Sequence, residues 1–159
     1  MFSKIFLRMS VRLIQSDMLL FFGKINGASF GDTCMKLVQF DSSRDITVVD
    51  SFVDFSFRVT KPSCNFMGFM HGGMYPVLAD VFTSSHIFGV SAPRMHVSVE
   101  LATSYSSKAK LGANIVGRST VLKMGRQLVF MRMDFMDGET VCATVRHTKA
   151  FILEGKPTT

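Results

Sequence analysis

The sequence predicts an α+β fold in which an antiparallel β-sheet wraps around one long central helix. One segment, residues 74–88, has apolar residues at helical spacing, whereas the segments before and after it alternate apolar and polar residues as strands do. Short turns separate the later strands. Consecutive strands joined by short turns pair antiparallel, because a parallel pair needs a long crossover connection.

The central helix is predicted over residues 74–88. Met74, Leu78, Val81 and Phe88 recur at helical spacing, and Pro76 falls in the first turn, where its missing N–H costs little. The segment is apolar on most of its sides. We therefore expect the helix to be buried rather than to lie on the surface.

Five strands are predicted around this helix. The first covers residues 46–60, where Val53, Phe55, Phe57 and Val59 alternate with polar residues, and the others cover 94–105, 113–124, 126–137 and 139–152. Turn signals separate the last four strands, and Asp137-Gly138 is a good two-residue hairpin turn. Residues 17–33 contain three glycines and are expected to be a helix end and a loop.

Length and charge limit the classes of function. A chain of 159 residues that is 47% hydrophobic is long enough for one domain with its own core. The net charge of +6 suits an anionic partner such as a phosphate-bearing cofactor. There is no run of five basic residues and no Trp, so nucleic-acid binding is not indicated.

The cysteines and the hydropathy pattern exclude further classes. The three cysteines form no C-x-x-C pair, which argues against a disulfide framework or a zinc ribbon and fits a reducing compartment. No His spacing suggests a metal site. No window of about 18 uninterrupted apolar residues occurs, so we expect no stable membrane insertion.

The first fifteen residues form a basic amphipathic pattern. Lys4, Arg8 and Arg12 recur every four residues among apolar side chains, and no acid precedes Asp17. This pattern is typical of a mitochondrial presequence, although a surface helix with a basic solvent side is the alternative. We expect a mitochondrial location, or otherwise a cytoplasmic one. The expected organisation is a presequence at 1–15, a helix and loop at 16–45, the domain at 46–153 and a tail at 154–159.

Two features of the central helix suggest a reactive site. His71, Gly72 and Gly73 directly precede the helix, whose N-terminus offers free N–H groups and the positive end of a dipole; the alternative is a tight turn. Asp80 lies about two turns into the apolar helix, where burying a carboxylate is costly unless it is paired or has a use. Its alternative role is a structural ion pair with Arg94 or Arg118.

Ser98 lies in the strand that follows. Alternation places Val97, Val99 and Leu101 on one face of that strand, and His96, Ser98 and Glu100 on the other. A serine that simply faces solvent is the alternative.

Together these motifs resemble the hotdog-fold acyl-CoA thioesterases of the PaaI-like group. The resemblance covers residues 46–152 and rests on Asn65, His71-Gly72-Gly73 and Asp80 in the pattern N-x5-HGG-x6-D, on Ser98 in "VSVEL", on "KAKLG" at 108–112 and on "RHTK" at 146–149. It implies hydrolysis of medium- or long-chain fatty acyl-CoA to free acid and CoA, by a homodimer or a dimer of dimers, without a metal or redox cofactor.

The resemblance also implies a role for each site residue. Asp80 would be the general base or the nucleophile, and Gly72 would supply the oxyanion-hole N–H. Asn65 and His71 would orient the thioester or the water, and Ser98 would position that water. The CoA phosphates need cations, and the candidates, each of which could equally be a solvated surface charge, are Lys108, Lys110, Arg126, Arg146 and Lys149.

Helix geometry adds a constraint. Eight residues at ~1.5 Å per residue separate Gly72 from Asp80 by about 12 Å, too far for both to act on one carbonyl. Two central helices related by a two-fold axis would bring Asp80 of one chain opposite Gly72 of the other. Two other functions remain open: a hotdog hydratase or dehydratase that pairs His71 with Asp80, and a non-catalytic acyl-CoA binding module.

Overall fold

The computed structural model describes residues 11–25, 27, 29–91 and 94–152. Its helices are α1 (Val11–Ile25), α2 (Phe30–Leu37) and α3 (Met74–Val90), with a short 3-10 helix at Lys61–Ser63. Its strands are β1 (Ile46–Val49), β2 (Phe52–Arg58), β3 (His96–Tyr105), β4 (Asn114–Met124), β5 (Leu128–Asp137) and β6 (Thr140–Phe151).

The six strands form one antiparallel sheet in the order β1-β2-β4-β5-β6-β3. The strand that follows α3 in sequence therefore pairs with the last strand, β6, and lies at an edge of the sheet. α3 packs across one face of the sheet and contacts β3, β4, β5 and β6. The predicted α+β fold, a sheet wrapped around one long helix, is confirmed.

Apolar side chains of α3 and the sheet make the core between them. Leu78 and Phe82 of α3 are fully buried, and the Phe82 ring stacks on Phe55 of β2 with 4.4 Å between ring centroids. Phe57 and Val53, on the same face of β2, are also buried. The predicted alternation in this strand is confirmed, because Val53, Phe55 and Phe57 are buried on the helix side and the polar residues between them are more exposed.

Two predictions about local structure are wrong. Residues 46–60 form two strands, since the polar pair Asp50-Ser51 makes a turn that folds β1 back on β2. Residues 30–37, part of which was predicted as loop, form α2. Ser29 caps this helix, and its Oγ accepts a hydrogen bond from the Asp32 N–H at 3.1 Å.

The helix α1 shares the core of the sheet domain. Met18 is fully buried, and a Cβ added at Gly89 of α3 would lie 2.8 Å from Met18 Cγ and 2.9 Å from the Ile14 carbonyl oxygen. Only glycine allows the two helices to approach so closely. Residues 1–10 of the predicted presequence lie outside the described residues, and α1 runs across its boundary at residue 15. None of the described helices is long and apolar enough to cross a membrane.

Candidate active site

Asp80 lies at the centre of a network of polar side chains. Its Oδ1 accepts hydrogen bonds from Lys149 Nζ at 2.9 Å and from Ser98 Oγ at 3.1 Å. His147 Nε2 is 3.6 Å from the same oxygen. The Lys149 side chain is only 5% exposed, whereas that of Asp80 is 47% exposed. Asp80 therefore has its cation on the buried side and remains open on the other.

A second chain of hydrogen bonds holds His147 behind Ser98. Thr83 Oγ1 donates to the Ala79 carbonyl at 2.6 Å and lies 2.7 Å from His147 Nδ1, so it accepts the imidazole proton. His147 Nε2 then faces Ser98 Oγ as an acceptor at 2.9 Å. The single hydroxyl proton of Ser98 thus has two acceptors, Asp80 and His147.

The electrostatics of this network keep Asp80 ionised. Burial acts to raise the pKa of Asp80, but the ammonium of Lys149, together with His147 and the Ser98 hydroxyl, outweighs burial and holds the pKa below its usual value. Burial, joined by the nearby Lys149 charge, lowers the pKa of His147 to about 4. At neutral pH the site therefore holds a carboxylate beside a neutral imidazole.

A β-bulge corrects the predicted faces of β3. The register with β6 shifts between Ser98, which pairs with Lys149, and Glu100, which pairs with Thr148. Ser98 consequently points to Asp80 on the helix side, whereas Glu100 accepts from Thr148 Oγ1 on the opposite face. The prediction that Ser98 and Glu100 share a face is wrong, because the extra residue reverses the alternation.

The suggested ion pairs of Asp80 with arginine are also wrong. Arg118 makes a bidentate pair with Asp54 on the outer face of the sheet, with both N–O distances at 2.8 Å. The Arg94 guanidinium lies over the Phe151 ring, 3.8 Å from its centroid. The cation that pairs with Asp80 is Lys149, which was predicted as a CoA contact. The Lys149 ammonium is buried against Asp80 and Ser84. The structure therefore does not support Lys149 as a contact for the CoA phosphates.

The N-terminal end of α3 forms a second polar centre built from backbone groups. The Gly73 N–H donates to His71 Nδ1 at 3.0 Å, and the Gly72 carbonyl accepts from Tyr105 Oη at 2.9 Å. The Gly72 N–H donates to no group in the described part of the chain. This N–H precedes the first turn of α3 and is available to a ligand oxygen.

The loop before Gly72 is held by Asn65. Its Oδ1 accepts from the backbone N–H groups of Met67 at 3.0 Å and Phe69 at 3.2 Å, and Gly68 takes the positive φ that the turn needs. The Asn65 oxygen is therefore used by the loop, and its amide nitrogen is the group left to contact a substrate. Neither Asn65 nor His71 shares a hydrogen bond with Asp80 among the described residues.

The remaining basic residues do not meet in one patch. Lys108 and Lys110 adjoin the Asn65 loop, where Met70 N–H donates to the Ala109 carbonyl at 2.9 Å. Arg126 lies at the opposite end of β4, whose 11 residues at ~3.3 Å each span about 35 Å. Arg146 is exposed beside Glu100 on the outer face of the sheet. One chain thus carries these cations in three separate places: beside the Gly72 centre, at the far end of β4 and on the outer face of the sheet.

Sequence reasoning missed His147, Thr83 and Tyr105, and it gave Lys149 a different role. His147 and Lys149 lie two residues apart on β6 and therefore point to the same face. That spacing inside "RHTK" was a usable signal. The spacing does not reveal which residue of α3 contacts this face of β6, because Asp80 and Lys149 are 69 residues apart in sequence.

Comparisons with known proteins identify the family of this chain. The sequence profile of the thioesterase superfamily matches residues 67–144. Acyl-coenzyme A thioesterase 13 of Homo sapiens is 34% identical over 94 residues, which cover 58% of this chain and 67% of that protein. The same enzyme of Mus musculus is 32% identical over an alignment of the same length and coverage.

Solved structures of thioesterases have the same fold. Thioesterase superfamily member 2 of zebrafish superposes with a TM-score of 0.74 at 26% identity, covering 87% of this chain and 98% of that one. The Mus musculus protein gives a TM-score of 0.68 at 25% identity, covering 89% and 98%. The chain described here therefore belongs to the thioesterase superfamily, has the hotdog fold and is a thioester hydrolase.

Proposed function

We propose that this protein hydrolyses fatty acyl-CoA to free fatty acid and CoA, with Asp80 as the catalytic carboxylate. The observation that carries the proposal is the half-exposed, ionised Asp80, bonded to Ser98 on one side and to a buried Lys149 on the other. The relatives named acyl-coenzyme A thioesterase 13 support acyl-CoA as the substrate class.

The chemistry follows from the two polar centres. Asp80 takes a proton from a water held by Ser98, and the water oxygen bonds to the thioester carbon. The carbonyl oxygen gains negative charge and accepts a hydrogen bond from a Gly72 N–H at a helix N-terminus. Collapse of this intermediate breaks the C–S bond, and the CoA thiolate leaves and is protonated. Direct attack by Asp80, giving an anhydride that water then hydrolyses, uses the same groups.

We further propose that two chains complete each site. Asp80 and Gly72 of one chain belong to separate hydrogen-bond networks, about 12 Å apart along the chain by helix rise. The edge strand β3 supports the pairing of two copies. Val97, Val99 and Leu101 on this strand are all exposed in the single chain, and among the described residues one edge of the strand has no hydrogen-bonded neighbour.

The separated cations fit the same arrangement. A site that joins Asp80 of one chain to Gly72 of its partner gains Lys108 and Lys110 beside Gly72 from one chain. It gains Arg126 from the other, because β6 and the β4–β5 turn adjoin the Ser98 end of β3. Cations from both chains would then bind the phosphates of one CoA. Whether the dimer pairs again into a dimer of dimers is a further proposal that sedimentation can test.

Thiol release from a panel of acyl-CoAs tests the proposed function. We expect Asp80→Asn to lower turnover at least ~100-fold, as for removal of a catalytic base. Asp54→Asn is the matched control, because it removes a carboxylate from the outer face of the sheet. Equal turnover by Asp80→Asn and wild type would contradict the role of Asp80. Acyl-CoA binding without thiol release by wild type would favour a binding module, and hydration of an enoyl-CoA would favour a hydratase.

We also propose a mitochondrial location, on the basic amphipathic pattern of the first fifteen residues. A fluorescent fusion of residues 1–30 should reach mitochondria, and the same fusion with Arg8→Glu and Arg12→Glu should not. A cytoplasmic wild-type fusion would contradict the proposal. Because Ile14 is buried against α3, removal of residues 1–15 is expected to cost stability.

A further inference from the structure

An apolar cleft of about 500 Å³ opens beside Asp80. Val77 and Val81 of α3 line it together with Asp80, and these three residues lie on one side of the helix because they are spaced three and four apart. Leu101 of β3 lines it too, brought to the helix side by the bulge after Ser98. The volume is within the range of small-ligand sites in proteins.

The opposite wall comes from the N-terminal helices. Phe21 and Ile25 of α1 and Phe30 of α2 line the cleft, and the Phe30 side chain is 72% exposed. This wall lies directly against α3, since a Cβ added at Gly31 would be 2.7 Å from Val81 Cγ2. It is also anchored in the core, because the Phe21 ring packs 5.7 Å from Phe88 between centroids.

The chemistry of the lining selects its occupant. Among the described residues that line the cleft there is no Lys or Arg, so it offers nothing to the phosphates of CoA. Its polar members are Ser29, Asp80 and Ser84, and the hydroxyl of Ser84 is already bonded to Lys149 and the Asp80 carbonyl. An aliphatic chain would cover exposed apolar surface that water now contacts.

We propose that the acyl chain of the thioester lies in this cleft, with its carbonyl carbon at Asp80, and that the wall formed by Phe21, Ile25 and Phe30 sets the preferred chain length. The inference rests on the proposed function, since Asp80 is what joins the cleft to the reaction. It makes α1 and α2, which precede the sequence resemblance at residues 46–152, part of the substrate site. Each methylene that enters the cleft should raise kcat/KM roughly fourfold until the cleft is full.

Two opposite substitutions of Val77 test the inference. Val77→Phe narrows the cleft, and we expect the ratio of kcat/KM for dodecanoyl-CoA to kcat/KM for butanoyl-CoA to fall roughly 60-fold, since about three buried methylenes are lost at about fourfold each. Val77→Ala widens the cleft and should move the preference to longer chains. Val116→Phe is the control, because Val116 is half-buried on β4 and lines a different hollow.

Phe30→Ser gives a test that does not depend on core packing, because the side chain is exposed. It should lower the ratio of kcat/KM for dodecanoyl-CoA to kcat/KM for butanoyl-CoA ~5-fold or more. If Val77→Phe does not fold, Phe30→Ser alone tests whether the acyl chain lies in the cleft.

The outcomes separate the inference from the function on which it rests. If wild type releases no thiol from acyl-CoA of any chain length, the proposed function is contradicted. Thiol release whose length profile is the same in wild type, Val77→Phe and Phe30→Ser contradicts the inference alone. If these variants dissociate the dimer and slow all lengths equally, the cleft is an interface between copies, which also overturns it.

Discussion

The two halves of the proposed site lie at the N-terminal end of α3 and at its middle. The first half consists of backbone groups and the second of side chains. At Gly72 the working groups are backbone amides and carbonyls, fixed by His71 and Tyr105. At Asp80 they are charged and titratable side chains, several of them buried, fixed by hydrogen bonds and an ion pair. The backbone groups of the first half come from consecutive residues, although Tyr105 of β3 helps to hold them, whereas the second half gathers side chains from α3, β3 and β6.

This difference predicts which changes each half tolerates. A backbone centre keeps its donors under most side-chain substitutions, so it fails only when the backbone moves or loses an N–H. A centre of buried charges fails when one partner is removed, because the other is left uncompensated. Substitutions at the Asp80 half should therefore have large effects that depend on pH, and those at the Gly72 half smaller ones.

The largest effect on stability is expected from Lys149→Met. Removing one member of a fully buried ion pair costs ~3–5 kcal/mol, and since the Asp80 side chain is 47% exposed we expect about 2–3 kcal/mol in the free energy of unfolding. Burial without the ammonium raises the pKa of Asp80, so activity should be lost at a higher pH on the acidic side. Urea denaturation and a kcat/KM pH profile measure both effects.

Arg146→Met is the matched control for this change. Arg146 lies on the same strand, but its side chain is 70% exposed on the other face. It should leave both the free energy of unfolding and the acidic limb within error of wild type. An acidic limb that Lys149→Met does not move would contradict the electrostatic account of Asp80.

A somewhat smaller effect is expected from acid. Burial lowers the pKa of His86, on α3 beyond Asp80, from 6.5 to about 4. His86 therefore binds a proton below about pH 6.5 in the unfolded chain, but only below about pH 4 in the folded chain. Stability is fully present above pH 6.5 and falls as the pH drops towards 4, by about 2 kcal/mol for this group between pH 7 and pH 5.

Denaturation of His86→Gln at both pH values measures that contribution. The variant should lose about 2 kcal/mol less than wild type between pH 7 and pH 5, whatever its stability at pH 7. Identical pH dependence of His86→Gln and wild type would be inconsistent with a buried, neutral His86.

The smallest effect is expected at the backbone half. Tyr105→Phe removes the hydroxyl that donates to the Gly72 carbonyl but keeps the ring. A single hydrogen bond contributes about 1 kcal/mol, so we expect the free energy of unfolding to fall by no more than about 1 kcal/mol and turnover to fall no more than roughly fivefold. Ser104→Ala, at the exposed neighbouring position, should leave turnover unaltered. A 100-fold loss in Tyr105→Phe would mean that the backbone half is less robust than proposed.

The sequence predicted those features that short-range patterns encode. Alternation in β2, helical spacing in α3 and the Asp137-Gly138 turn each follow from the backbone period or from a residue's φ, and Gly138 indeed has φ 58°. The pairing of Asp80 with Lys149 could not be read in this way. It depends on β6 lying beside β3 under α3, which the sheet order decides.

Two other differences have local causes that patterns do not show. The bulge after Ser98 adds one residue without any Gly or Pro to mark it, and it reverses the faces of all later β3 residues. The helix α2 was missed because Gly31 suggested a loop. In fact Gly31 is required there by the close approach to Val81, and the Ser29 cap was the better signal.

The central claim is that each site joins Asp80 of one chain to Gly72 of another, and mixing two inactive variants tests it most directly. Asp80→Asn removes the carboxylate. Gly72→Pro removes the N–H; Gly72 does not have a positive φ, and a Cβ there would make only ordinary contacts with Tyr105, the nearest at 3.5 Å. Circular dichroism must first show that both variants are folded.

The two variants are unfolded, combined in equal amounts and refolded together. Half of the dimers should then contain one chain of each kind. Each mixed dimer has one site with both changes and one with neither, so we expect about a quarter of wild-type turnover. Turnover no greater than that of the separate variants would contradict the claim and assign the complete site to a single chain.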